Sequence, residues 1–479
     1  MEEKPSGKYG QFRVLTDAQL LAIHSASLEV LQMTGYHAPV PEARQLVLDG
    51  GGKSSGERIF ITPEMVERAL KTLRPFSIFD RTGEPSRVMS RGEVSFSTIA
   101  DTFYVLDPYT RQVRPFLKDD QRWLAAVIDS LPGIDYVQCV GQAQDVPDTL
   151  QNQVAVAETI KQTSKPLLIY PYDRLGLLDS LEVIFIASGG EQNFLRKPSM
   201  MCAAVPAAPL SGTDYSLELL LTCAERKVPV LSYCCPAMGG NSPADIIATM
   251  VLANADWLAS LVIHQLKNPG APFCTAGFTM QLMDMRTSLW SYCAPETQLA
   301  YSAVTELAHW YGMPAFGLEM TCDIPRLDAQ AGAEMMSQCQ RAFLSGVEMV
   351  HNAGIYGAGK ICGAEGVILA DEIIAYSRNT VKPLKATEGN LAEAVSMIHQ
   401  AGPLGEYMSK DHTLAHFRDF WYPQVFNRGM FDPLATEPGI DLNQRLNERA
   451  RKLIENHRPV LSEATNAEIN TLEAAWVHR

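Results

Sequence analysis

Residues 228–272 read VPVLSYCCPAMGGNSPADIIATMVLANADWLASLVIHQLKNPGAP, and the order of apolar run, helix and apolar run decides the fold. An apolar run starts at Val228. Small residues follow at Gly239 and Gly240, and Ser242-Pro243 with Asp245 opens a long helical stretch. A second apolar run starts at Pro272. Ser and Asp supply side-chain acceptors for the unpaired amides of a helix start, and proline there presets φ. Strand, long helix, strand is a βαβ unit, and its crossover makes the two strands parallel.

The same alternation runs outward in both directions. Candidate strands begin near Val94, Tyr136, Pro166, Pro198, Val228, Pro272, Pro314 and Glu348, with helical stretches such as 118–131, 150–163, 243–266, 295–311 and 328–345 between them. Eight such units predict a (β/α)8 TIM barrel over residues 93–380; an open doubly wound sheet is the competing arrangement. Residues 1–92 read as an N-terminal α+β extension. Thr16 and Gln19 form a capping box ahead of Leu20, Ile23, Ser27, Leu28 and Leu31, Gly35 ends that helix, and Thr62-Pro63 opens another. Residues 381–479 read as a C-terminal helical extension packed on the barrel, with an aromatic, histidine-rich stretch at 411–421 and a charged helix at 443–454.

Composition narrows the function. Of 479 residues 46% are apolar and 20% charged, so a large core needs neither metal nor disulfides. The net charge of −14 argues against nucleic acid and against anionic membranes. The ten cysteines show no CxxC and no framework spacing, as reduced thiols would. The polar start MEEKPSGKYG lacks a signal-peptide core, and no apolar run reaches the ~18 residues of a membrane span, so the expected location is cytoplasmic.

Barrel enzymes place their chemistry at the C-terminal ends of the strands. Those ends carry Thr98, Asp101, Gln142, Gln144, Tyr170, Tyr172, Met238, Gly239, Phe278, Gln281, Glu319, Met320, His351, Asn352 and Tyr356. The set is rich in rings and amides and has no obvious acid–base pair, a composition suited to holding a cation on ring faces; the same rings could equally fill barrel layers. Gly354 to Lys360 matches GxxxxGK, but Ile361 replaces the Ser or Thr that would hold Mg²⁺, so its glycines read as a tight turn or a close ligand approach. His412 and His416 share a helix face, yet no third ligand stands near them, and no metal is expected.

Several strings then resemble one family. Leu15-Thr16-Asp17, Ser27-Leu28-Glu29-Val30-Leu31 and Thr34-Gly35 are similar to the opening of the trimethylamine methyltransferase family. So are Asn254-Ala255-Asp256-Trp257-Leu258-Ala259, Asn268-Pro269-Gly270-Ala271-Pro272, Asp328-Ala329-Gln330-Ala331-Gly332, Val350-His351-Asn352-Ala353-Gly354, and Asp411-His412-Thr413-Leu414 with His416-Phe417-Arg418. The resemblance implies a corrinoid-dependent methyltransferase on a (β/α)8 barrel. Archaeal trimethylamine enzymes of the family carry pyrrolysine near the end of the seventh strand; the region here, Gly317-Leu318-Glu319-Met320-Thr321-Cys322, has ordinary residues only. That departure implies the non-pyrrolysine branch, with a quaternary amine, glycine betaine first, as methyl donor.

On this reading no residue is a catalytic acid, base or nucleophile, and the protein works by positioning. Tyr170, Tyr172, Phe278 and Tyr356 are expected to box the trimethylammonium. His351, with Gln142 and Asn352 and then Lys360, is expected to meet a carboxylate. Gly239, Gly240 and Gly277 are expected to let a flat corrin approach. Cobalamin is expected on a separate corrinoid protein, since no DxHxxG pattern is present, and the chain is expected to form a homo-oligomer. Two alternatives stay open: another barrel enzyme, such as a zinc-dependent methanol or thiol methyltransferase or a decarboxylase, and a non-catalytic partner of a corrinoid protein.

Overall fold

The eight expected strand positions all carry extended backbone. The computed structural model describes residues 12–98, 101–384, 386–430, 441–476 and 478; the polar start MEEKPSGKYG lies outside them. The barrel strands are β1 (Ser95–Phe96), β2 (Val137–Gln138), β3 (Leu167–Ile169), β4 (Met200–Ala204), β5 (Val230–Ser232), β6 (residues 273–276), β7 (Phe316–Leu318) and β8 (Met349–His351). Ladders β2-β3-β4-β5 and β7-β8-β1 are parallel, in agreement with the βαβ reading. Amide bonds from Cys274 to Val230, Ala276 to Pro314 and Asp135 to Phe96 (2.8, 3.0 and 2.7 Å) connect β5 to β6, β6 to β7 and β2 to β1. The architecture is a (β/α)8 barrel.

The helices follow in register. Lys118–Asp129, Gln151–Ile160, Arg174–Ala187, Asp214–Arg226, Ile246–Lys267, Pro295–Trp310, Ala329–Ser345 and Ala364–Val381 succeed β1 to β8. The longest opens later than its Ser-Pro pair suggests: Asp245 is the cap, accepting the Ala248 amide at 2.8 Å. Its 22 residues are apolar enough to cross a membrane, but most are buried here as a barrel helix. It carries the N-terminal segment on its outer side through a buried polar chain. Asn254 donates to Ser27 Oγ (3.0 Å) and bonds the Tyr311 hydroxyl, which meets His24 Nδ1 at 2.8 Å.

The N-terminal segment holds the capped helix Asp17–Met33, the expected helix Pro63–Thr72, a three-stranded antiparallel sheet, and one helix the sequence reading lacked, Pro41–Asp49. That helix has no side-chain cap, so its opening carries no signature beyond proline.

Strand alternation separates two environments. Phe96, Val137, Leu167 and Cys202 belong to the core shared with the helices, whereas Tyr136, Leu168, Met201, Leu231, Cys274, Phe316 and Met349 form a separate lumenal cluster. Ile78, Val88 and Met89 join that cluster, and Phe79 and Arg81 bond backbone carbonyls of Pro198 and Ser164 just ahead of β4 and β3. Residues 76–89 thereby floor the barrel at its N-terminal end, leaving the C-terminal end as the mouth.

The C-terminal segment is held at discrete points. The buried Glu372 carboxylate accepts amides of Gln424, Val425 and Phe426 at 2.9–3.1 Å. Asn447 of helix Leu442–Asn456 bonds Glu365, and Glu473 of helix Glu463–Trp476 pairs with Lys118 and Lys161. Helix Glu388–Ala401 buries no residue and exposes Leu391, Val395 and Ile398. Hydrogen bonds to a charged partner are worth about 1.5–3 kcal/mol. Glu372→Ala should therefore cost about 2–3 kcal/mol in urea unfolding and speed proteolysis near residues 424–426; unchanged stability would remove the anchor.

Candidate active site

The mouth is built from loops that pair with one another. After β1, strands Tyr104–Leu106 and Val113–Pro115 form a hairpin that pairs with Ile361–Cys362 from the loop after β8. Across the opening, Ala237–Met238 after β5 pairs with Gln281–Asp284, which turns back through Leu289–Ser291. Asp120 locks the first hairpin through a two-pronged Arg114 contact (2.6 and 2.7 Å). Asp323 locks the second by accepting from Ser291 and the Tyr292 amide (2.6 and 3.0 Å), which positions the Tyr292 ring.

A ladder of rings rises through the lumen toward this mouth. Tyr170 of the β3 end accepts the Tyr233 hydroxyl proton at 3.1 Å. Tyr233 lies 4.7 Å from the Phe316 ring, and Phe316 stacks on His351 at 4.5 Å and 14°. Burial depresses the His351 pKa to about 3, against a smaller opposing effect of the Gly317 backbone, so the imidazole is neutral. On the β1–β2–β8 side stand Ser95, Ser97, Gln138 and His351, with Ser95 Oγ, Ser97 Oγ, both Gln138 amide atoms and His351 Nδ1 lacking hydrogen-bond partners among the described residues. This side of the lumen is polar and uncharged, the other aromatic.

Asp101 stands in the loop after β1. Its side chain is exposed, yet protein surrounds it densely enough to push its pKa up to about 6, with its own amide a smaller opposing effect. Burial, the larger cause, and the negative charge of Asp101 both hold Tyr170 and Tyr172 beyond β3, Tyr233 and Cys235 beyond β5, and Tyr292 between β6 and β7 protonated. At the mouth a cavity of about 560 Å³ is lined by Phe103, Gln142, Gln144, Asp148, Gln151 and Tyr172.

The expected residues divide. Tyr172 and Gln142 share the cavity, and Tyr170 and His351 share the lumenal ladder. Phe278 and Tyr356 are both fully buried in the core shared with the helices, Tyr356 bonding the Cys362 carbonyl at 3.5 Å. Asn352 is buried at the end of β8 with φ 94° and its Oδ1 unpartnered. Gly277 is buried against Val304 and the Phe316 backbone, and Gly239 and Gly240 lie against Met285 and Met283 of the second hairpin. Protein packing, not an open approach, thus accounts for Gly277. Within GxxxxGK, a Cβ on Gly354 would stand 2.4 Å from Val367 backbone atoms, so that glycine serves a tight turn onto the following helix. Lys360 is exposed on the same loop. His412 and His416 form a ring pair at 4.5 Å, with His416 bonded to Asp419 at 2.8 Å.

Two rings of the mouth, Tyr233 and Tyr292, escaped the sequence reading. Tyr233 carries a usable signal, since it stands two residues beyond the lumenal Leu231 and must face the same way. Tyr292 carries none, because its position depends on the Asp323 contact from another loop.

A carboxyl whose folded pKa exceeds its unfolded value destabilises the fold once ionised. That cost is absent below the unfolded value near 4 and fully present above about 6. Asp101→Asn should therefore raise stability at pH 7.5 by about 1 kcal/mol, after allowing for screening by the water that reaches it, and give no gain at pH 4. Equal effects at both pH values would contradict the placement of Asp101.

Comparison with known proteins gives relatives along nearly the whole chain. A family model described as trimethylamine methyltransferase (MTTB) matches residues 2–475. The glycine betaine methyltransferase of Desulfitobacterium hafniense (strain Y51) is 28% identical over 454 residues, 94% of each chain. The trimethylamine methyltransferase MttB of Desulfitobacterium hafniense (strain DSM 10664 / DCB-2) is 26% identical, covering 93% of this chain and 90% of its own. The crystal structure of the Methanosarcina barkeri monomethylamine methyltransferase (MtmB) superposes with a TM-score of 0.51 at 12% identity over 95% of this chain and 97% of that one, a likeness of fold.

Proposed function

We propose that this chain, which belongs to the trimethylamine methyltransferase family in its non-pyrrolysine branch, moves a methyl group from a quaternary amine to the cobalt of a corrinoid carried by a separate protein. The observation that carries this reading is the run of rings beneath the mouth, Tyr170 bonded to Tyr233 and Tyr233 packed on Phe316, with Tyr172 on the wall of the cavity at the mouth. Ring faces attract a permanent cation by about 0.5–2 kcal/mol each without the full cost of stripping a charged partner of water. The glycine betaine relative puts that compound at the head of the panel of donors, with dimethylglycine as product.

The chemistry asks little of an acid or base. A trimethylammonium group already leaves as a neutral tertiary amine: the C–N bond breaks and its electron pair stays on nitrogen. When bound, the corrinoid in its cobalt(I) state supplies the nucleophile. The mouth fits such an approach, because Asp101 after β1 and Tyr172 after β3 are both reachable from solvent. What remains for this chain is to orient one methyl outward along that axis and to limit ground-state binding of a charge that disappears during transfer. Rings do this better than close ion pairs. The ten unpaired cysteines accord with a cytoplasmic setting.

The test is anaerobic. Purified full-length chain, chemically reduced cobalamin and a panel of quaternary and tertiary amines are mixed, and the absorbance change that accompanies cobalt methylation is followed. Methylation by a quaternary amine and none by trimethylamine is the expected result; no transfer even with the cognate corrinoid protein would overturn the reading. Tyr172→Ala should weaken amine binding about 2–30-fold, from the loss of one ring face, with kcat little changed. A change confined to kcat would place Tyr172 in another role.

A further inference from the structure

We infer that two copies of this chain pair by exchanging an arm: helix Glu388–Ala401 of each copy lays its apolar face into a groove on the last two barrel helices of the other. Two observations on different parts of the molecule carry this. One is an apolar face that no described residue covers, the other an apolar groove that no described residue fills.

In the arm helix, Leu391, Ala394, Val395 and Ile398 recur at the spacing that lines up one face, with Glu393, Ser396 and Gln400 opposite. Yet the helix buries none of its residues, and Leu391, Val395 and Ile398 are each more than half exposed. A lone helix of this length is marginal in water, and packing of its apolar face is what stabilises such a helix in a protein. The exposure continues along the arm at Leu404, Met408, Leu414 and Phe420. At roughly 100 Å² of apolar surface each, these seven side chains show about 700 Å², close to the ~800 Å² that one partner contributes to a standard interface.

The groove encloses about 660 Å³, and Phe12, Ala333, Met336, Leu344 and Tyr376 are among its lining. It follows helix Ala329–Ser345, with Tyr376 supplied by helix Ala364–Val381. From Ala333 to Leu344 that helix rises about 16 Å, whereas the stripe from Leu391 to Ile398 spans about 10 Å, so the groove is long enough to seat it. The returning end of the arm stands beside the groove of its own chain, where Trp421 meets Tyr376 edge-on at 5.6 Å. The stripe itself stays exposed, so a single chain leaves both face and groove open.

The route of the chain favours a second copy over a methyl acceptor as the occupant. Helix Ala364–Val381 follows β8 and therefore runs from mouth to floor, and its Arg378 lies 3.9 Å from Asp135, immediately before β2. The arm leaves from that floor end, away from the mouth that an acceptor must reach. Two copies related by a two-fold axis make the arm–groove contact twice and leave neither surface open.

Sedimentation velocity of the full-length chain at micromolar concentration should give at least twice the mass of one chain. Leu391→Gln, Val395→Gln and Ile398→Gln together remove the face at positions already exposed, and Ala333→Arg crowds the groove from an exposed position. Each variant should sediment at lower mass with the circular dichroism of the parent. A monomeric parent overturns the proposal, as does an assembly whose mass the arm variant leaves unchanged. Dissociation by the arm variant but not by Ala333→Arg overturns the groove as the seat of the arm.

Discussion

Only every second residue of a strand faces the barrel axis, and the rest of the structure depends on that constraint. It places Tyr136, Leu168, Met201, Leu231, Cys274, Phe316 and Met349 in one lumenal cluster closed from below by Ile78, Val88 and Met89. It then lifts the residues two positions further along, Gln138, Tyr170, Tyr233 and His351, into the layer beneath the mouth. A barrel packed from the floor upward has one end free for a ligand. The chain builds two loop sheets around that end rather than across it.

The layer beneath the mouth is divided by chemistry. Tyr170, Tyr233 and Phe316 are fixed by a hydroxyl–hydroxyl bond and by ring contacts, while Ser95, Ser97, Gln138 and neutral His351 present polar groups without charge. Glu319 and Arg341 neutralise each other where the seventh strand meets its helix. The result is a mouth whose phenols, Tyr170, Tyr233 and Tyr292, burial keeps protonated. On the proposed function, such a site would hold a methylated ammonium loosely enough to let its charge vanish during transfer, the demand that methyl transfer from nitrogen imposes.

Much of this was legible in the chain. The eight strand starts follow from short apolar runs separated by amphipathic stretches, and the first helix from Thr16 and Gln19. Helix Pro41–Asp49 was not legible, because it lacks a capping side chain, and the long helix opens on Asp245 instead of at Ser242-Pro243 because tertiary packing chooses among competing caps. At the site, nearness to a strand end was a poor guide to direction. Phe278 and Tyr356 belong to the outer core, whereas Tyr233, read from its neighbours as part of a buried thiol stretch, faces the axis.

The most direct measurement is a crystal structure of the full-length protein with a bound trimethylammonium compound such as choline. The account predicts the quaternary nitrogen among Tyr170, Tyr172, Tyr233 and Tyr292, with one methyl directed out of the mouth. A nitrogen seated elsewhere, or a methyl shielded from the mouth by the lumenal rings, would contradict it.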